Sequence, residues 1–243
     1  MLDPRTRVPA WALAGCLVAF LAGASSADPL VAGSKLCLYP LTVPLAEGRG
    51  EARRANLERK LVAALREASF SLAEPVAVDA LEERVRKECG GFVDPATGER
   101  DGERYLAYQQ KLAQALRDEL GCSAQLRASV VQLRATLFGG FAVWDGTQQR
   151  VSSTGRQVKN AIVGVEESGW LIAFSLWLSV LDLDGKEIAF RSAGIETPVQ
   201  LAVVEDQDLL AEDRWLSDEA RLDAAIRSAL GIGGASLRSA AEP

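Results

Sequence analysis

Between Trp170 and Leu183 apolar residues fall on every second position. Trp170, Ile172, Phe174, Leu176, Leu178 and Val180 make one face, and Ala173, Ser175, Trp177 and Ser179 the other. A period of two held this long fits a strand half-buried against a core and excludes a helix, whose apolar stripe returns every three to four residues. Asp184-Gly185 follows, then Lys186 to Ser192 with Ile188 and Phe190 expected inward, so the strand is predicted to return as a hairpin. A chain carrying such a ribbon must build a sheet. Its neighbours decide which kind.

Upstream, strands and helices alternate. Leu36 to Leu41 is apolar on both faces and bounded by Pro40 and Pro44, which predicts a buried central strand. Leu57, Leu61, Leu65 and Ala68 recur at helical spacing opposite Glu58, Arg59, Arg66 and Glu67. Val76-Ala77-Val78 reads as a short strand, and Asp79 with Glu82 as the capped start of a helix whose inner face is Leu81, Val85 and Cys89. Gly90 to Gly102 reads as a loop whose acidic spacing does not match a calcium-binding loop, so no metal site is expected. A third helix runs from Glu103 to Leu120 and stops at Gly121.

Leu126 to Phe141 reads as a long strand. Its apolar phase shifts from Leu126, Ala128 and Val130 to Val131, Leu133, Ala135 and Leu137, the mark of a bulge. Gly146 to Gly169 is polar and reads as a long loop, and Ser217 is expected to cap a last helix carrying Leu222, Ile226 and Leu230. The order predicts one α/β to α+β domain over residues 28–232: a mixed β-sheet flanked by helices, built as strand-helix-strand-helix-helix, then a β-meander, then a C-terminal helix. Residues 233–243 are expected to be a disordered tail.

The first 27 residues give an address. Arg5 and Arg7 precede an apolar run from Ala10 to Ala22, which ends in Ala22-Gly23-Ala24 and Ser25-Ser26-Ala27, the form of a signal peptide. The run is shorter than the ~20 residues of a membrane-spanning helix, so cleavage after Ala24 or Ala27 and export to the periplasm are expected. Leu13-Ala14-Gly15-Cys16 also has the form of a lipobox. Lipidation at Cys16, with anchoring to a membrane, is the alternative.

Composition narrows the chemistry. The chain holds 27 Lys and Arg against 33 Asp and Glu, a formal charge of -6, and losing Arg5, Arg7 and Asp3 makes it one unit more negative, which argues against nucleic acid. It contains no histidine, which removes Ser-His-Asp hydrolysis, Cys-His proteolysis and histidine zinc sites together. No spacing singles out two carboxylates, so no catalytic residue and no cofactor is expected. Without the leader the cysteines are Cys37, Cys89 and Cys122, an odd number for an oxidising compartment. Cys37 lies in an apolar run and reads as a buried free thiol, while Cys89 and Cys122 lie beside glycines at helix ends and are expected to pair.

Four stretches carry a family likeness: the first strand ending in proline, the helix with Leu57, Leu61 and Leu65 leading to Ser69-Phe70, the junction Glu119-Leu120-Gly121-Cys122-Ser123-Ala124, and the hairpin Leu181 to Ile188. Together they resemble a group of bacterial envelope proteins that includes the amino-terminal domain of TolB, the penicillin-binding-protein activator lipoproteins and the curli secretion lipoprotein. The chain departs from that pattern at Cys122 and Ser123 and through the segment Gly146 to Gly169. The resemblance implies a noncatalytic module that binds other envelope proteins.

Charge layout agrees with such a role. Arg127, Arg134, Arg150, Arg156 and Lys159 stand against Asp145 alone, whereas the stretch from Glu205 to Asp223 is strongly acidic. Opposed patches steer partners or pair chains head to tail. Expected partners are therefore other envelope proteins or a second copy of the chain, with Arg150, Arg156, Lys159 and Trp177 as contact residues and a membrane only through Cys16. A small-ligand or polysaccharide-binding protein using the face of Ala173, Ser175, Trp177 and Ser179, and a carboxylate-dependent envelope hydrolase, are the alternatives.

Overall fold

The computed structural model describes residues 34–45, 50–93, 97–164, 168–201 and 208–232. Residues 1–27, read above as a leader containing Cys16, and the tail expected at 233–243 lie outside them. In chain order the elements are β1 (Lys35–Leu38), α1 (Gly50–Glu67), β2 (Ser71–Ala73), α2 (Pro75–Glu88), α3 (Gly102–Asp118), β3 (Ala124–Phe138), β4 (Phe141–Trp144) and β5 (Thr147–Arg150). Then come α4 (Thr154–Val163), β6 (Ser168–Leu181), β7 (Glu187–Glu196), β8 (Val199–Gln200), β9 (Asp208–Leu209) and α5 (Glu219–Leu230).

Strands β1 to β7 form one mixed sheet, an α+β fold of the kind the sequence predicts. β1 lies parallel between β2 and β3, as its two apolar faces require. β3 and β6 pair antiparallel along their whole length, from Gln125 opposite Leu181 to Phe138 opposite Ser168. β7 returns along β6 after a five-residue loop closed by Asp182, whose Oδ1 accepts the Lys186 N–H and whose carbonyl accepts the Gly185 N–H.

Side-chain alternation sends successive residues to different cores. Leu36 and Leu38 join Leu126, Ala128, Val130, Leu176 and Leu178 against α1 and α5, each buried leucine contributing about 1.5–3 kcal/mol. Cys37 and Tyr39 point the other way, into a core built by α2 and α3. A third core gathers Ala135, Leu137, Leu171 and Ala173 under Ala142 and Trp144 of the β4–β5 hairpin.

This layering corrects the expected bulge in β3. The β3–β6 ladder runs through the phase change without a register shift. What changes is the side that is covered: α1 and α5 cover Leu126 to Val130 on one face, and the hairpin covers Ala135 and Leu137 on the other. The register shifts lie instead between β6 and β7.

Other boundaries differ for local reasons. Val76 to Val78 is helical, because Pro75 opens α2 and Val78 joins Leu81 and Val85 on its buried side; the short strand is Ser71–Ala73. Asp218, not Ser217, caps α5 by accepting the N–H groups of Ala220 and Arg221. The segment read as a loop from Gly146 to Gly169 holds β5 and α4. The strand read through to Phe141 breaks at Gly139-Gly140, and a second turn follows at Asp145-Gly146. Both pairs have positive φ at each residue, the conformation that two-residue hairpins demand.

The cysteine pairing is also corrected. Cys37 bonds Cys122, with Cα atoms 5.6 Å apart, and Cys89 is the free thiol. Cys37 faces the α2/α3 core, and the exit of α3 is held against β1 by the Ser123 N–H donating to the Lys35 carbonyl, which brings Cys122 beneath it. Cys89 caps the far end of α2 at the edge of that core.

Candidate binding cleft

Two covers share the α2/α3 face of the sheet and leave a strip open between them. The register places Arg127 opposite Ser179, Ser129 opposite Trp177, and Ser179 opposite Phe190, so these five side chains stand on that same open face. Tyr39, Pro40 and Thr42, where the chain leaves β1, and Glu82 of α2 wall one end. The open cleft measures about 380 Å³.

The hairpin anchors Trp177 at the other end without lining the cleft itself. The Trp144 indole N–H donates to the Phe174 carbonyl at 3.1 Å, and the Thr147 hydroxyl donates to the Gly194 carbonyl at 3.0 Å, so the hairpin lies down on β6 and β7. Gly194 makes that approach possible: a Cβ there would stand 2.5 Å from Trp144 Nε1 and 2.6 Å from Thr147 Cβ. At the turn, Asp145 Oδ2 accepts the Trp177 indole N–H at 3.2 Å. Trp177 also meets the Phe190 ring edge-on at 5.4 Å. The indole is thereby fixed, although it is 38% exposed and Phe190 is 40% exposed.

At the opposite wall the Arg127 guanidinium carbon lies 4.7 Å above the Tyr39 ring. Arg127 covers the ring, and the Tyr39 hydroxyl is buried beside it. Burial pushes that hydroxyl up to about 12, with Glu82 adding to the rise and Arg127 opposing it. It therefore stays a neutral donor at physiological pH. Glu82 is committed elsewhere, accepting the Tyr108 hydroxyl at 2.9 Å and pairing with Arg86 at 2.9 Å. Tyr108 is held raised by burial first and then by that bond to Glu82. Ser179 donates to Glu187 at 2.9 Å.

The cleft thus joins a cation, hydroxyls and two exposed rings, the groups of recognition. Of the residues singled out in the sequence, Trp177 lies in it, with Ser179 beside it. Ala173 and Ser175 lie on the same face but are fully buried, Ala173 under the hairpin. Arg150, Arg156 and Lys159 lie elsewhere. Arg150 donates to the Thr154 hydroxyl at 3.1 Å and to Gln157 Oε1 at 2.7 Å, tying β5 to α4, which carries Arg156 and Lys159. Arg150 stands three strand steps from the turn beside Trp177, about 10 Å along the hairpin. Arg134 lies on the opposite face, 4.4 Å over the Trp170 ring. The basic run is therefore dispersed over several surfaces.

Sequence reasoning missed Tyr39, Ser129 and Phe190 as site residues and counted Arg127 only as charge. The available signal was parity: Arg127 and Ser129 alternate with the buried Leu126, Ala128 and Val130, so they occupy the same sheet face as Cys37 and Tyr39. Phe190, expected inward, faces the cleft, because Ala189 and Ala193 of β7 meet the α1/α5 core instead.

No protein-family model matches the chain, and no curated protein does. Among solved structures it is similar to a lipoprotein of Neisseria meningitidis, at 16% identity over 68% of this chain and 83% of that one, with a TM-score of 0.32. It is also similar to the PelC dodecamer of Paraburkholderia phytofirmans, at 13% identity over 82% and 88% with a TM-score of 0.32. A third is a homologue of the neuraminyllactose-binding hemagglutinin from Helicobacter pylori, at 9% identity over 81% of each chain and a TM-score of 0.32. At this distance the likenesses carry no functional assignment.

Proposed function

We propose that this protein is a noncatalytic binding module of the bacterial cell envelope that holds its partner in the cleft between α2 and the β4–β5 hairpin. The signal-peptide form of the first 27 residues supports that compartment. One observation carries the binding site: Trp177 and Phe190 are kept half-exposed by fixed neighbours on a sheet face that is otherwise covered. Exposed rings forgo burial of part of the 150–250 Å² an aromatic side chain can remove from water, and a bound partner recovers it. The test passes a solubilised envelope fraction over immobilised protein and compares wild type with Trp177→Ala/Phe190→Ala. Retention of a component by wild type and at least roughly tenfold weaker retention by the variant, at similar thermal stability, supports the reading. Equal retention contradicts it.

A second reading, protein–protein contact through α4, is favoured by Lys159 and Ile162, which lie three residues apart on that helix with Ile162 exposed. Arg156→Ala/Lys159→Ala leaves the Arg150 anchor in place. Loss of retention in that variant, and not in the cleft variant, favours α4.

A further inference from the structure

We propose that the cleft binds a carboxylate-bearing saccharide unit, with Arg127 taking the carboxylate and Trp177 and Phe190 packing against the ring; this rests on the cleft being the binding site. The floor of the cleft is made by β3 and β6, whose backbone N–H and C=O groups are used in ladders on both sides, while β7, which carries Phe190, pairs only with β6 and leaves its outer edge open. An extended peptide, recognised mainly through its backbone, finds no free backbone groups on that floor, the open edge lying beyond Phe190 on the outer side of β7. What the floor offers is side chains: a guanidinium, the Ser129 and Ser179 hydroxyls, and aromatic surface. The Arg127 guanidinium as donor, the Ser129 hydroxyl, and the Ser179 oxygen as acceptor, its proton being given to Glu187, stand beside an aromatic ring and match the alternating polar edges and apolar faces of a sugar.

The acidic requirement comes from Arg127. Among the described residues no carboxylate pairs with it; its contacts are the Tyr39 ring and a long 3.5 Å bond to Gln125 Oε1. A guanidinium presents a planar fork suited to two parallel bonds with a carboxylate. Beneath it, the buried Tyr39 ring supports the guanidinium from one side and leaves its other side toward the cleft. Glu82, the carboxylate on the wall, is occupied by Arg86 and Tyr108, which leaves Arg127 as the unspent charge. The volume of about 380 Å³ suits one or two sugar rings.

The experiment titrates the full chain, expressed with its own leader and purified, with oligogalacturonate and with the same oligomer methyl-esterified, by calorimetry. The acid is expected to bind at least about tenfold more tightly than the ester, since a charge-assisted bond is lost with the carboxylate. Arg127→Gln should bring acid binding down to the ester's level, and Arg127→Lys should fall between. Trp177→Ala should weaken both, and salt should weaken the acid only. Equal binding of acid and ester, or full acid binding by Arg127→Gln, overturns the acidic-saccharide assignment. If neither oligomer binds while Trp177→Ala still abolishes retention of an envelope protein, the ligand class is wrong and the cleft stands. If Trp177→Ala changes nothing in either assay, the cleft itself falls.

Discussion

At the scale of single residues, Glu196 is the clearest source of pH dependence. It is 6% exposed, lies at the end of β7, and accepts the N–H of Leu216, which has a left-handed φ of 54°. Burial raises its pKa, against the bond from Leu216. A raised carboxyl binds its proton more tightly in the fold than unfolded, so its contribution is fully present below the unfolded value of about 4.3 and is lost as pH rises through the raised one. Glu196→Gln can keep the accepted bond without the charge. Its melting temperature should rise relative to wild type near pH 7, and the two should converge as pH falls toward 4. A constant difference across that range would remove Glu196 from the pH response. The cysteines give a second test at this scale: denaturing alkylation without reductant should label one thiol outside the leader, at Cys89, and labelling of Cys37 would contradict the bridge.

At the scale of elements, the β4–β5 hairpin fixes the indole of the cleft, through the bond from Trp177 to Asp145. Gly194→Ala should cost roughly 1–3 kcal/mol in urea unfolding, because the added methyl meets the Trp144 indole and Thr147, neither of which can retreat without losing its bond to β6 or β7. An unchanged midpoint would mean the hairpin does not seat there. Breaking the bridge between β1 and the start of β3 frees a loop of 85 residues. Cys37→Ser/Cys122→Ser should therefore lose on the order of 4–5 kcal/mol in the loop-entropy picture. The long elements were legible in the sequence because their periodicity is strong: α1, α3, β6 and the return of β7 all lie where the alternation and spacing put them. The hairpin was written there too, in Gly139-Gly140 and Asp145-Gly146, but its short strands are half polar and carry little alternation of their own. The cleft was less legible. Trp177 and Ser179 could be placed on one face, yet Tyr39 joins them only because β1 lies against β3, a parallel pairing between segments some 85 residues apart that no local pattern encodes. The same missing neighbourhood hid the Cys37–Cys122 bond.

At the scale of the molecule, the sheet carries three covers, and the cleft lies between two of them. α1 and α5 close the first half of one face, strapped by Lys60, which pairs with Glu219 at 2.8 Å and Asp223 at 2.7 Å. α2 with α3, and the hairpin, close the two ends of the other face. Among the described residues no helix is long and apolar enough to cross a membrane. The four described tryptophans report separate places: Trp144 lies under the hairpin, Trp170 on the opposite face, Trp177 in the cleft, and Trp215 beside Phe174 in the α1/α5 core. Their indole N–H resonances, followed by nitrogen-15 NMR while the retained envelope component is added, test the binding site directly. The Trp177 resonance should shift or broaden, as its bond to Asp145 is perturbed, while those of Trp170 and Trp215 hold still. Binding that moves Trp170 or Trp215 and leaves Trp177 in place would contradict the cleft as the site of recognition.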